Sequence, residues 1–153
     1  MFRNRLFLKA GMISDQRPLM FKILIVEDNI KLRNRIKRIL IAKLPFLSVA
    51  EASDEKDTFA EMEHQHPDLV IMDIRLGSEN GLNLTKKIKM RYPSIPIAIN
   101  TNHDSSEYKT AALRVGAEYF FSKKSNTIND LVSLAESIFL RGTEDASKTY
   151  ETG

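Results

Sequence analysis

Short apolar runs rich in Ile, Val and Leu alternate five times with longer segments whose apolar residues recur at helical spacing, and this alternation constrains the fold more than any other feature. The runs predict strands over 22–26, 47–51, 68–72, 95–100 and 118–122. Between them, Leu32, Ile36, Ile39 and Leu40 share one face of a first helix, and Ile128, Leu131, Ala135 and Ile138 share one face of a last. Strands that are apolar on both faces must be covered on both, and strand–helix–strand crossovers are right-handed. The expected fold class is therefore α/β, a doubly wound five-stranded parallel sheet flanked by five helices.

Punctuation supports the boundaries. Asp54 and Thr127 each precede a helix with an acid three residues on, Asp57 and Asp130. Pro67, Pro93 and Pro96 fall between elements, and Gly116 and Gly142 sit where a left-handed helix end is cheap. The domain is expected over 21–141, with 142–153 as a C-terminal tail. Residues 1–20 lack periodicity, and Leu6-Phe7-Leu8 is cut off by Lys9 before it can serve as a secretory core, so a flexible N-terminal extension is expected.

Charge and composition exclude several functions. The net +3 is accounted for by Arg3, Arg5, Lys9 and Arg17 against Asp15, leaving the remainder balanced, so the domain itself is not expected to bind nucleic acid. No apolar run approaches the roughly 20 residues of a membrane span, and the absence of cysteine removes disulfides and thiolate metal sites. A cytoplasmic setting without membrane contact is expected.

Where the runs end is as informative as where they lie. The first stops in Glu27-Asp28 and the third in Asp73, which places three carboxylates at the carboxyl edge of the sheet, where open α/β sheets bind ligands. Hard oxygen ligands of this kind suit Mg²⁺. Asp28 or Asn29 capping the first helix, and Asp73 as a turn residue, are the purely structural alternatives. The fourth run ends in Thr101 and the fifth in Ser122-Lys123, adding a hydroxyl and an ammonium to the same edge. His64, His66 and His103 lack a shared helical metal spacing, and Met62, Met72 and Met90 are expected in core or boundary packing. The cations Lys31, Arg33, Arg35, Lys37 and Arg38 of the first helix read as a solvated face or a docking face for a partner.

Taken together, Ile-Val-Glu27-Asp28, Leu-Val-Ile-Met-Asp73-Ile-Arg-Leu, Asn80-Gly81-Leu82, Thr101 and Gly116-Ala117 followed by Phe120 and Lys123 resemble the receiver domains of two-component response regulators over 21–141. The resemblance implies a flavodoxin-like sheet of order 2-1-3-4-5, with Asp73 as phosphoacceptor. Glu27, Asp28, Asp73 and the backbone carbonyl of Arg75 become the Mg²⁺ ligands. Thr101 and Lys123 become the phosphoryl-binding pair, and Thr101 with Phe120 the switch. It implies a sensor histidine kinase or histidine phosphotransfer protein as partner, with homodimerisation as a further option. Such a protein is a switch rather than an enzyme, phosphorylating only itself.

Arg75 and His103, two residues after Asp73 and Thr101, are the side chains placed to tune dephosphorylation. Three departures from the family stand out. Gly77 replaces a common proline and is expected to loosen its loop, Lys124 replaces another, and Asn102 is bulkier than usual and narrows access. The Asp-Ile-Arg-Leu and Asn-Gly-Leu neighbourhoods resemble regulators with a DNA-binding domain, so a receiver fragment of a transcriptional regulator is the alternative. A Mg²⁺-dependent aspartyl-phosphate phosphatase is disfavoured, because Arg75 stands where its proton-donating acid belongs.

Overall fold

The structure, a computed structural model, describes residues 20–124 and 127–151, with side chains up to 143. The order is β1 (Phe21–Val26), α1 (Ile30–Lys43), β2 (Leu47–Ala52), α2 (Glu55–Gln65), β3 (Leu69–Met72), β4 (Arg75–Leu76), β5 (Glu79–Asn80), α3 (Gly81–Arg91), β6 (Ile97–Thr101), α4 (Ser106–Arg114), β7 (Tyr119–Ser122) and α5 (Ile128–Glu151). The main sheet is parallel throughout, in the order β2-β1-β3-β6-β7. This is the expected 2-1-3-4-5 arrangement, with a small β4–β5 hairpin inserted that the sequence reading did not contain.

Period-two alternation sorts the core into two layers. Ile23 and Ile25 of β1 face Ile36 and Leu40 of α1 and Leu131, Ala135 and Phe139 of α5. Leu24 and Val26 face the opposite way, toward Met62 of α2, Leu84 and Ile88 of α3, and Ala112 of α4. Phe139 pins α5 to the sheet's amino edge by stacking on Phe46 at 4.1 Å and meeting Phe21 edge-on at 6.0 Å. Met62 and Met72 are core residues as expected, whereas Met90 is 78% exposed and packs in neither core nor boundary.

The caps follow local chemistry. Asn29, Asp54, Asn80 and Ser105 each accept a backbone N–H of the first turn of their helix. Helix α4 ends in a Schellman motif, with Gly116 N–H donating to Leu113 and Ala117 N–H to Ala112, while Gly116 takes φ +106°. Thr127 starts α5 through its carbonyl, and its hydroxyl donates to Asn100 at 3.3 Å.

The expected stop at Gly142 is not there. Helix α5 runs through it to Glu151, so 142–151 continues the helix instead of forming a tail. A glycine inside a helix costs only about 1 kcal/mol relative to alanine, and a Cβ at Gly142 would meet nothing within 4 Å. The extension expected over 1–20 lies outside the described residues except for Met20. Among the described residues there is no cis peptide bond, and no helix is long and apolar enough to cross a membrane.

Gly81 carries the tightest backbone constraint. Its N–H donates to the Ile74 carbonyl at 2.6 Å, and a Cβ would lie 1.9 Å from the carbonyl oxygen of Asp73. That neighbour is main chain and cannot rotate away. Gly81→Ala is expected to lower the unfolding free energy by about 1–3 kcal/mol, as overpacking does, and urea denaturation of the two proteins checks it.

Candidate functional site

The sheet's ladder continues one residue past the strand ends, and this assembles the site. Glu27 N–H donates to Ala52, Asp73 N–H to Val26, and Lys123 N–H to Thr101. These bonds bring residues 46 to 96 positions apart onto one edge. Oxygens of Glu27, Asp28 and Asp73 lie within 4.8 Å of one another, and Lys123 Nζ donates to Glu27 Oε1 at 2.5 Å and to Asp73 Oδ2 at 2.8 Å. Asn29, not Asp28, caps α1, which leaves the Asp28 carboxylate available to the cluster.

The expected residues do not all share one wall. A cavity of about 210 Å³ is lined by Glu27, Asp28, Asn29, Asp73, Arg75, Asn102, His103 and Lys123. Arg75, His103 and Asn102 thus border the carboxylates. Thr101 sits behind them, fully buried, its Oγ1 accepting the His103 N–H at 3.1 Å. Phe120 is half-buried against the α2–α4 layer.

Several contributors escaped the sequence reading. Arg33 donates to the Glu27 carbonyl at 2.7 Å and, with Lys37, pairs with Glu51 of β2, so part of the cationic face of α1 is engaged by the protein's own sheet. Asp104 accepts from the Ser122 hydroxyl at 2.7 Å and from Lys124 at 3.1 Å, tying the loop after Thr101 to the one after β7. Gly77 does not loosen its loop. At φ +60° it forms a two-residue hairpin turn, and its N–H donates to Asp28 Oδ2 at 2.9 Å. The residue types gave no signal of these long-range pairs.

Electrostatics identify what the cluster lacks. Glu27 is buried, and burial pushes its carboxyl up to about 7; the Lys123 hydrogen bond opposes this and the Asp73 charge adds to it. Burial works against the Lys123 ammonium, yet its hydrogen bonds to Asp73 and Glu27 leave it above the ordinary lysine value. One ammonium cannot balance three carboxylates. The hard oxygen set beside an open cavity therefore fits a divalent cation such as Mg²⁺.

The chemistry coincides with what the chain is similar to. The response regulator receiver domain family matches residues 23–136. The transcriptional regulatory protein DegU of Brevibacillus brevis is 31% identical over 67% of this chain and 44% of its own length. The transcriptional regulatory protein PhoP of Escherichia coli is 28% identical over 83% of this chain and 56% of its own. A protein-glutamate methylesterase/protein-glutamine glutaminase of Paramagnetospirillum magneticum is 37% identical over 63% of this chain and 28% of its own. The chain spans about half or less of these relatives. Among solved structures, a LuxR-family response regulator from Aurantimonas superposes with TM-score 0.71 at 29% identity, covering 79% of this chain and 86% of that one. A CheY-like receiver domain from Methanospirillum hungatei superposes with TM-score 0.71 at 24% identity, covering 85% and 98%.

The sign of the Glu27 shift gives a test. The folded protein holds a proton with an affinity near pH 7 that the unfolded chain holds near 4.5. The stabilisation is full below the unfolded value and lost as pH rises through the folded one. Metal-free protein is expected to lose melting temperature between about pH 5 and about pH 8, and Glu27→Gln to flatten that slope. Equal slopes in thermal melts of the two proteins would contradict the assignment.

Proposed function

The chain belongs to the response regulator receiver family, and from that premise we propose that it is a phosphorylation-dependent signalling receiver accepting a phosphoryl group onto Asp73 from a sensor histidine kinase or a histidine phosphotransfer protein. The observation that carries the reading is Lys123 bridging Glu27 and Asp73 beside Asp28. Glu27, Asp28, Asp73 and the Arg75 carbonyl are the proposed Mg²⁺ ligands. When bound, the ion supplies positive charge to the phosphoryl oxygens and the attacking carboxylate.

The residues have distinct tasks. An Asp73 oxygen attacks phosphorus in line with the donor nitrogen, forming an O–P bond as the N–P bond breaks and the imidazole leaves. Lys123, already held against Asp73, remains beside the charge that spreads over the equatorial oxygens. In this reading Thr101, whose hydroxyl accepts the His103 N–H, swings its O–H toward the phosphoryl group, and Phe120 takes up the space it vacates. Lacking a hydroxyl, Phe120 moves inward by burial alone. The face of α4, β7 and α5 then carries the signal, to a partner or to a second copy. Phosphorylation of its own aspartate is the one catalytic step this reading assigns to the domain.

A second reading, the receiver segment of a longer DNA-binding regulator, is favoured by the partial coverage of DegU and PhoP, both transcriptional regulatory proteins. It leaves the site chemistry unchanged.

Intact-mass analysis with a small phosphodonor is expected to show one added phosphoryl group, lost on chelation of Mg²⁺ and absent from Asp73→Asn. Undiminished labelling of that variant would sink the assignment. Dephosphorylation needs a water in line with phosphorus. Arg75 and His103 border the cavity, and neither is an obvious water-orienting acceptor. In this reading the Arg75 guanidinium pairs with a phosphoryl oxygen and obstructs the water's approach, so Arg75→Asn is expected to hasten loss of the label severalfold while Asp73 still accepts it, and a decay time course no faster than wild type would refute this shielding.

A further inference from the structure

Of the three clustered carboxylates, Asp28 is the one that the ion pairs do not hold. Glu27 is fixed by the Asn29 N–H and by Lys123, and Asp73 by Lys123. Asp28 is exposed, and among the described residues its carboxylate has one hydrogen-bond partner, the backbone N–H of Gly77, 49 positions away. We propose that Gly77 is a positioning residue for the metal site, its N–H holding Asp28 in the converging geometry that a divalent cation requires. This rests on the reading of Glu27, Asp28 and Asp73 as metal ligands.

The hairpin makes the donor rigid. Leu76 is buried in the α2–α4 layer and pairs with Glu79 across the turn. The Glu79 carboxylate in turn accepts the Glu55 N–H at the start of α2 at 2.7 Å, and Lys87 of α3 holds the Glu55 side chain at 2.7 Å. The turn between Leu76 and Glu79 is thus anchored on both flanks, and Gly77 at φ +60° directs its N–H at Asp28. Only a residue that tolerates the left-handed region and carries an amide hydrogen can do this, which excludes proline on both counts.

The consequence for binding is preorganisation. An exposed aspartate without a partner samples rotamers that turn its charge to solvent, and a cation must then pay to recruit it. A single N–H bond leaves the carboxylate's remaining lone pairs available, so the tether orients Asp28 without competing for the ion. Hydrogen bonds that orient metal-ligating carboxylates typically govern about 10–100-fold in affinity.

The test is Mg²⁺ binding by calorimetry, with the melting temperature of each metal-free protein recorded alongside. Gly77→Asn keeps the amide hydrogen, introduces the side chain that enters the left-handed region at the lowest strain, and is expected to bind within about threefold of wild type. Gly77→Pro is expected to bind at least about tenfold more weakly. Because proline also alters the turn, the deciding variant replaces the Gly77 amide by a backbone ester, using glycolic acid. That change replaces the N–H donor by an oxygen while keeping a glycine-like backbone, and is expected to reproduce the roughly tenfold loss. An ester protein that melts like wild type and binds Mg²⁺ equally well overturns the tether. Wild-type protein that takes up no Mg²⁺ at millimolar concentration overturns the metal-site reading itself, and the tether with it.

Discussion

The ammonium of Lys123, pressed between Glu27 and Asp73 at the edge of the sheet, is the interaction on which the arrangement of this protein turns. Only 12% of its side chain is exposed, and the carboxylates it joins are as enclosed. Charges this buried are stabilising only when geometry is good and remaining lone pairs are met. That condition ties together the ends of β1, β3 and β7, because moving any one of them leaves a buried charge unpaired. The same enclosure drives the Glu27 carboxyl upward and makes the cluster receptive to a further positive charge.

Around this centre the backbone does much of the positioning. Gly81 lets α3 begin in contact with the carbonyl of Asp73, so the helix start and the proposed phosphoacceptor share one rigid turn. Gly77 supplies an N–H to Asp28, and His103 supplies one to the buried Thr101 hydroxyl. Thr101 is therefore tied to the 102–104 loop, which Asp104 ties in turn to Ser122 and Lys124. A hydroxyl held in this way has a defined resting position, and under the proposed phosphorylation of Asp73 the phosphoryl group would offer it a second one. A two-state switch requires such a pair of alternatives.

The parallel sheet and the identity of the clustered residues were legible because each depends on local sequence, whereas the strand order followed from the resemblance to receiver domains. A strand buried on both faces leaves a continuous apolar run, and the residue that ends it is read directly. Hence Glu27, Asp28, Asp73, Thr101 and Lys123 were all found at strand ends. The β4–β5 hairpin was not legible, since two-residue strands have no period, and Gly77, expected to loosen its loop, sits in a hydrogen-bonded turn. Nor was the course of α5 past Gly142, because a glycine at an open position neither requires nor forbids a helix end.

By itself, the sequence determined which residues carry charge, which runs are strands, and that acids, a hydroxyl and a lysine follow them. Burial and chain-distant pairing were decided only by the tertiary structure: Glu27 enclosed with Lys123, Arg33 against the Glu27 carbonyl, Asp28 on Gly77, and Thr101 turned to His103 rather than to the cavity. The physical reason is range. Hydrophobic period and strand termination are set within a few residues, whereas desolvation and hydrogen-bond partnership depend on which distant groups the packed sheet brings within about 3 Å.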